Sequence, residues 1–352
     1  MRLDRGPHPL GFYLSQLLCR TAADPGQAAR LERFLAALRR YQAHPWRRDL
    51  LPPPAVAEAG SARLLAYGGS GPAVVFVPSL INPAWVLDLS AQRSLMRWLA
   101  TQGLRPFLVD WGTPGPEERG FDLNAYVTRR LLPLIEQLSE PVTLAGYCLG
   151  GTLGVAAACL SPQVERLALL AAPWVFSAYD DQPRQDLAAF AAQWEPLAES
   201  LGVFPAEALQ IAFWALDPDL LERKFARFAA YDPASLQAED FIALEDWANS
   251  GPPLSLPAAR QCFEAFFGRD EPGLGAWRIG QTAIDPARLA LPALVVSASG
   301  DRIVPQASSS PLSCHLSRAS ALCVEAGHVG MIVGRRAPAL LWEPLARWLL
   351  SR

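Results

Sequence analysis

This 352-residue sequence contains almost no lysine and no long hydrophobic run. Lys224 is the only lysine among 31 basic residues, a bias towards arginine to which we attach no functional meaning. No apolar stretch reaches the roughly 18 residues that a transmembrane helix needs, so none is expected. The first 20 residues include Asp4, two prolines and polar side chains, and no A-x-A cleavage pattern follows them. We therefore expect no signal peptide and a cytoplasmic protein.

Concentrated positive charge and clustered metal ligands are also missing. The 31 basic and 34 acidic residues are spread without long runs and give a net charge of −3, which argues against a nucleic-acid partner. The six cysteines are scattered, with no C-x-x-C pair and no neighbouring histidine cluster. We expect no disulfide framework, no metal and no cofactor. The apolar fraction of 51% is typical of a compact globular protein.

Short apolar runs alternate with helical patterns along most of the chain. An amphipathic helix at 26–43 and a proline-rich break precede this alternation. Strands are predicted at 63–67, 73–77, 106–110, 142–146, 166–171, 293–297 and 321–324, and helices at 90–102, 122–138, 149–160 and 338–350. This order indicates a mostly parallel sheet with helices on both faces. The alternation stops at 173–285, an aromatic-rich, helix-like stretch, which we interpret as an inserted, mainly helical cap.

The segment "GYCLGG" has the spacing of a nucleophile elbow with cysteine in place of serine. It places Cys148 between a predicted strand and the first turn of a helix, whose partial positive charge favours a thiolate. Ordinary cysteines, with a pKa of about 8.5, are only slightly ionised at neutral pH, so a base is still needed. Alone, the motif is equally consistent with a buried cysteine in a glycine-rich turn.

Two further loops supply the partners that a catalytic cysteine needs. Asp301 in "SGDRIVP" and His328 in "GHVGMIVG" each follow a predicted strand. The chain order Cys148, Asp301, His328 is the nucleophile–acid–histidine order of the α/β-hydrolase fold. We therefore predict an α/β-hydrolase core at 61–172 and 286–352, an N-terminal helical segment at 1–60 and the cap at 173–285.

An oxyanion hole is predicted from two backbone N–H groups. One belongs to Leu149, directly after the elbow cysteine, and the other to the loop "VPSLINP". Leu80 is the first candidate in that loop and Ile81 the second, whereas Pro78 has no N–H.

Several segments together resemble the polyhydroxyalkanoate synthases, and most of all the class III catalytic subunit. They are "VPSLINPAWVLDL", "VDWGTPGPEE", "GYCLGGT", "LEDWANS", "SGDRIVP" and "GHVGMIVG", and the resemblance runs from about Leu64 to Leu349. The residues before about Arg47 do not share it.

The resemblance implies an acyltransferase that works through an acyl-cysteine. Cys148 would be the nucleophile, His328 the general base, and Asp301 would orient His328 or help to activate the incoming hydroxyl, the role that the resemblance favours. The implied substrate is an (R)-3-hydroxyacyl-CoA, joined to a growing polyester chain with release of coenzyme A, in the cytoplasm or at polymer granules. A companion synthase subunit and a homodimer remain open.

Three other functions compete with this interpretation. A cysteine-dependent thioesterase or esterase, and a polyester depolymerase, would share the same three residues. A non-catalytic granule-associated protein would not need them, and their joint presence argues against it.

Overall fold

The computed structural model describes residues 5–24, 26, 28–215, 217 and 219–351, and its centre is an eight-stranded sheet. The strands are β1 Ala55–Ala59, β2 Ala62–Ala66, β3 Ala73–Val77, β4 Arg105–Asp110, β5 Val142–Tyr147, β6 Val164–Leu170, β7 Ala293–Ala298 and β8 Ala319–Val324. Their spatial order is β1-β2-β4-β3-β5-β6-β7-β8. β1 and β2 are antiparallel at one edge, and every pairing from β4 to β8 is parallel.

The middle strands are apolar throughout because helices cover both faces of the sheet. In β3 every residue is buried; Val75 and Val77 belong to the core on one face, while Val74 and Phe76 belong to the core on the other. This burial explains why β3 reads in the sequence as a continuous apolar run. The α/β-hydrolase architecture predicted from the sequence is confirmed.

Helices make up most of the remainder of the fold, together with two short antiparallel pairs, Val203–Phe204 with Leu254–Ser255 and Arg278–Ile279 with Thr282–Ala283. The helices are α1 Leu10–Ala23, α2 Ala28–Ala43, α3 Leu95–Thr101, α4 Leu123–Tyr126, α5 Leu149–Leu160, α6 Asp181–Leu201, α7 Ala206–Ala215, α8 Leu220–Ala229, α9 Leu236–Ala248, α10 Leu256–Arg260, α11 Gln306–Ser309, α12 Leu312–His315, α13 Gly330–Val333 and α14 Glu343–Leu350. Three segments are π-helical: Val127–Leu131 extends α4, Gln261–Gly268 extends α10, and Pro338–Trp342 precedes α14. A short α-helical segment, Leu132–Glu136, follows the first of them. Within the described ranges, no helix is both long and apolar enough to cross a membrane.

The predicted elements mostly coincide with the observed ones. Two corrections concern the chain before β4. The helix predicted at 90–102 begins only at Leu95, because Arg93–Ser94 pairs with Asp88–Ser90 as a short hairpin. The Ser94 hydroxyl then accepts a hydrogen bond from the Arg97 N–H and caps the helix. Strand β1 was missed altogether: it follows three prolines, within the range 1–60 predicted to be helical.

The chain between β6 and β7 carries α6 to α10 and forms the mainly helical cap. The N-terminal helices α1 and α2 pack on cap helices α8 and α9 through a separate apolar cluster. Beside this cluster, the Arg5 guanidinium lies over the Tyr41 ring and donates from Nε to the Asp246 carboxylate at 2.7 Å. The boundaries at residues 60, 172 and 285 stay predictions.

Candidate active site

The Cys148 backbone adopts the strained conformation of a nucleophile elbow. Its φ of 57° and ψ of −135° lie where non-glycine residues rarely occur. The Cys148 N–H donates to the Leu170 carbonyl at 2.9 Å, and its carbonyl accepts from the Gly151 N–H at 2.8 Å. These bonds join the end of β5 to β6 and to the first turn of α5. They hold the side chain at the carboxyl edge of the sheet.

Glycine is required around the elbow because three backbone segments meet there. A Cβ on Gly146 would lie 2.3 Å from the Gly151 Cα, and a Cβ on Gly150 would lie 2.0 Å from the Val77 carbonyl oxygen. The second contact brings the loop after β3 against the first turn of α5. The G-x-C-x-G spacing is therefore a steric requirement of this turn.

His328 and Asp301 lie together at the same edge of the sheet, in the loops after β8 and β7. The His328 Nδ1–H donates to Asp301 Oδ2 at 2.6 Å, and both side chains are buried. Asp301 Oδ1 accepts from the Ile303 and Val304 N–H groups, both at 2.8 Å. Both carboxylate oxygens are thus engaged, and the Nε2 atom of His328 is the one left for other chemistry.

The electrostatics of this group favour a protonated imidazole. Burial lowers the pKa of His328, but the negative charges of Cys148 and Asp301 and the hydrogen bond with Asp301 outweigh it and raise that pKa to about 10. Cys148 and His328 also line one cavity. The carboxylate behind the ring thus keeps the imidazole cationic at the cavity that Cys148 also lines.

Tyr147 contacts His328 through both its ring and its hydroxyl, and the sequence does not predict these contacts. The Tyr147 ring stacks on the imidazole with centroids 4.9 Å apart and an interplanar angle of 25°. Its hydroxyl donates to the His328 carbonyl oxygen at 3.2 Å. Burial raises the pKa of Tyr147 well above its ordinary value, so it stays a neutral donor. Its place before the cysteine is the only sequence signal of this role.

Two other cysteines are chemically unsuited to be nucleophiles. Burial, with a smaller contribution from the Cys148 charge, raises the pKa of Cys262 to about 12. Burial also raises the pKa of Cys159, whose thiol donates to the Asp285 carbonyl. Cys19, Cys314 and Cys323 are exposed on the surface.

The candidate oxyanion-hole residues lie where the loop after β3 meets the elbow. Leu149 is the first residue of α5, so its N–H has no acceptor within the helix. The Ile81 N–H donates to the Ser79 hydroxyl at 3.2 Å, which leaves Leu80 as the better candidate of the two. Leu80 is buried, and its neighbours Ser79 and Ile81, rather than Leu80 itself, line the cavity. The Leu80 and Leu149 assignments stay predictions.

A cavity of about 820 Å³ is lined by Cys148 and His328 and also by exposed residues of the cap. Its lining combines the loop after β3, cap residues of α7, α8 and α9, and Tyr13 from the N-terminal helix α1. Aromatic side chains from three of these elements contribute, namely Tyr13, Phe213, Trp214 and Trp247. The volume is within the range of cavities that bind small organic groups.

Known proteins with similar sequences are poly(3-hydroxyalkanoate) polymerase subunits. The PhaC subunit of Synechocystis sp. is 29% identical over 297 residues, which are 79% of this chain and 78% of that protein. The PhaC subunit of Haloferax mediterranei is 26% identical over 296 residues, again 79% of this chain but 58% of the relative's length. These similarities confirm the resemblance noted in the sequence.

Solved structures and a family model give the wider classification. An esterase from Thermogutta terrifontis superposes with a TM-score of 0.54 at 16% identity, covering 85% of this chain and 97% of the esterase. A bromoperoxidase from Bacillus anthracis also has a TM-score of 0.54, at 16% identity, over 82% of this chain and 95% of that one. At these identities the structures establish the fold alone. The model described as the alpha/beta hydrolase family matches residues 74–339, and the chain belongs to that family.

Proposed function

We propose that this protein is a polyhydroxyalkanoate synthase that polymerises (R)-3-hydroxyacyl-CoA and releases coenzyme A through an acyl-cysteine. One observation carries the proposal: a cysteine occupies the strained elbow and shares a cavity with a histidine that is hydrogen-bonded to a carboxylate. The similar proteins named as polymerase subunits supply the substrate class.

Sulfur at the elbow fits polymerisation better than hydrolysis. A serine would take the acyl group as an oxygen ester, which is no higher in energy than the ester product. A cysteine takes it as a thioester and preserves the activation of the acyl-CoA until a hydroxyl attacks. Water must be kept from this intermediate, and the cap over the cavity is suited to exclude it.

The reaction begins when the Cys148 thiolate attacks the thioester carbonyl. The Cys148 sulfur–carbon bond forms, the bond from carbon to the coenzyme A sulfur breaks, and His328 gives its proton to the departing thiolate. The Leu149 and Leu80 N–H groups are the proposed donors to the oxyanion. Each such donor stabilises the transition state by about 2.7–4 kcal/mol in related chemistry.

Transfer to the growing chain uses the same residues, but His328 now accepts a proton instead of donating one. His328, now neutral, takes the proton from a 3-hydroxyl, whose oxygen attacks the acyl-cysteine carbonyl. The ester bond forms and the Cys148 thiolate leaves beside the imidazolium. Because both Asp301 oxygens are already engaged, the geometry supports a role that acts through His328 rather than by contact with the hydroxyl.

The decisive experiment measures three products in one reaction. Purified protein incubated with 3-hydroxybutyryl-CoA should release coenzyme A and form insoluble polymer, with little soluble hydroxy acid. Mass spectrometry of quenched enzyme should place the acyl group on the Cys148 peptide. Cys148→Ala should lose all of these signals, whereas Cys314→Ser, a change at an exposed thiol, should keep them.

Other outcomes assign the competing functions. Soluble hydroxy acid without polymer would indicate a thioesterase. Release of hydroxy acid from isolated polymer without any acyl-CoA would indicate a depolymerase. An adduct on another cysteine, or full activity in Cys148→Ala, would refute the mechanism, and no reaction with any of these substrates would favour a non-catalytic role.

A further inference from the structure

The outer end of the cavity is lined by basic side chains that the proposed reaction does not use. Arg223, Lys224 and Arg227 lie on the same cap helix, α8, and Arg302 follows Asp301 in the core loop. We call these four residues the cationic mouth. Arg223, Arg227 and Arg302 are exposed and therefore accessible to a ligand that enters the cavity.

The positive charge of the mouth exceeds the nearby negative charge. Asp217 pairs through one oxygen, Oδ2, with both Arg223 at 2.6 Å and Arg302 at 2.7 Å. Lys224 pairs with the buried Glu245 at 2.6 Å. No acidic side chain in the described part of the chain pairs with Arg227. The four cations and these two anions together carry a charge of +2, in a protein whose net charge is −3, while Asp219 and Glu222 at the start of α8 pair with Arg30.

We propose that Arg223, Arg227 and Arg302 bind the phosphate groups of a nucleotide carried by the thioester substrate. This inference rests on the proposed function, because it assigns the position of the coenzyme A end of the acyl-CoA. Guanidinium groups match phosphate oxygens in geometry and charge, because each planar fork can donate two parallel hydrogen bonds to one phosphate. Here the cap contributes two of them and the core contributes the third.

Asp217 occupies the place that a phosphate would take. It holds Arg223 and Arg302 close to each other when no anion is bound, and their hydrogen bonds and charges lower its own pKa. An incoming phosphate competes with this carboxylate for the same two guanidinium groups. Removal of the Asp217 charge should therefore strengthen phosphate binding, whereas a purely structural ion pair would predict no gain.

The first test compares three thioesters of the same 3-hydroxybutyryl group. They are the coenzyme A, the 4′-phosphopantetheine and the N-acetylcysteamine thioesters, which carry three, one and no phosphate groups. We expect Arg227→Ala and Arg302→Gln each to raise KM for the coenzyme A thioester about tenfold, with kcat nearly unchanged. The N-acetylcysteamine thioester should not respond to either change. Arg269→Ala, which removes an exposed arginine outside the cavity lining, is the matched control.

The second test needs no acyl transfer. Adenosine 3′,5′-bisphosphate should bind the wild-type protein in calorimetry, bind Arg227→Ala and Arg302→Gln about tenfold more weakly, and bind Asp217→Asn more tightly. Binding unaffected by these arginine changes, or equal KM values for the coenzyme A and phosphopantetheine thioesters, would overturn the proposal. If the bisphosphate binds as expected but no thioester reacts, the mouth is a nucleotide-phosphate site and the synthase function fails separately.

Discussion

At the scale of single residues, the charge state of His328 determines how Cys148 reacts. A folded-state pKa of about 10, above the ordinary value of about 6.5, means that the imidazolium persists through neutral pH and is lost only as the pH rises through about 10. Cys148 alkylation by iodoacetamide should therefore vary little between about pH 7 and 9. In His328→Gln the rate should be lower at pH 7 and should rise steadily with pH, as thiol reactivity does without a cationic partner.

The measurement must separate Cys148 from the exposed thiols. Cys19, Cys314 and Cys323 will also react, so a background with all three changed to serine, read by peptide mass spectrometry, isolates the signal. Identical pH profiles for the wild type and His328→Gln would show that the helix terminus alone ionises the thiol.

Asp301 should affect every step, since it acts through His328. Asp301→Asn removes the negative charge behind the imidazolium while keeping the size of the side chain. By analogy with triads in which the same change disturbs the histidine, we expect the first release of coenzyme A to slow by about a hundredfold or more. Rapid-quench measurement decides the point. A near-normal first release followed by stalled elongation would instead assign Asp301 mainly to activation of the hydroxyl.

Tyr147 offers two separable contacts with His328. Tyr147→Phe keeps the stacked ring and loses the hydroxyl bond, which should cost about 0.5–1.5 kcal/mol of stability and leave the pH profile of Cys148 alkylation unchanged. Tyr147→Leu also removes the stacking, worth about 0.5–1.5 kcal/mol, and should lower the alkylation rate at neutral pH by up to about tenfold. If the two variants show the same alkylation profile, the ring does not stabilise the imidazolium.

At the scale of elements, the junction of β5 and α5 tolerates no side chain at Gly150. Gly150→Ala would place a Cβ 2.0 Å from the Val77 carbonyl oxygen, so the loop after β3 must move, at a cost of about 3 kcal/mol or more. Gly154 lies one turn further along α5, where an added Cβ would meet only Leu167 Cδ1 at 3.8 Å. Gly154→Ala should be neutral or stabilise by up to about 1 kcal/mol. Urea unfolding of both variants measures the difference, and equal stabilities would contradict the tight junction.

The elements that the sequence predicts well are those with a strong local signal. Strand β3 and helix α5 have the predicted bounds, because one is buried on both faces and the other starts at a constrained glycine turn. Strand β1 has five residues with an incomplete pattern and gains its place only by pairing with β2. The sequence does not predict α1 as a separate helix. It carries few polar residues, and its apolar side chains pack on cap helices that lie far away in the sequence.

The candidate site likewise has features that the sequence predicts and features that it does not. The order of Cys148, Asp301 and His328, together with the strand that precedes each, is enough to bring them to one sheet edge. The stacking of Tyr147 on His328 and the cationic mouth depend on distances between segments that are remote in the chain. Periodicity and spacing carry no information about such distances.

At the scale of the whole molecule, α1 and α2 form one apolar unit with cap helix α8 and part of α9, outside the sheet core, whereas α6, α7 and α10 pack with that core. Phe225 lies at its centre, fully buried, with ring centroids 5.1 Å from Phe34, 5.8 Å from Tyr41 and 5.3 Å from Phe241. Tyr13 belongs to the same cluster and also lines the cavity, so this packing shapes the entrance to the site. Because this cluster is separate from the two clusters on the faces of the sheet, a substitution that weakens its packing should destabilise these helices without disturbing the catalytic edge of the sheet.

Phe225→Ala tests this separation. Loss of a fully buried phenylalanine costs about 3–5 kcal/mol, and we expect faster amide hydrogen exchange in α1, α2 and α8. Alkylation of Cys148 should remain at the wild-type rate, because Cys148, His328 and Asp301 are held by the sheet and its loops. Leu236→Ala, at an exposed position on α9, is the control and should change neither measurement. Exchange that accelerates equally in β5 and β7 would show instead that the helices and the sheet unfold as a single cooperative unit.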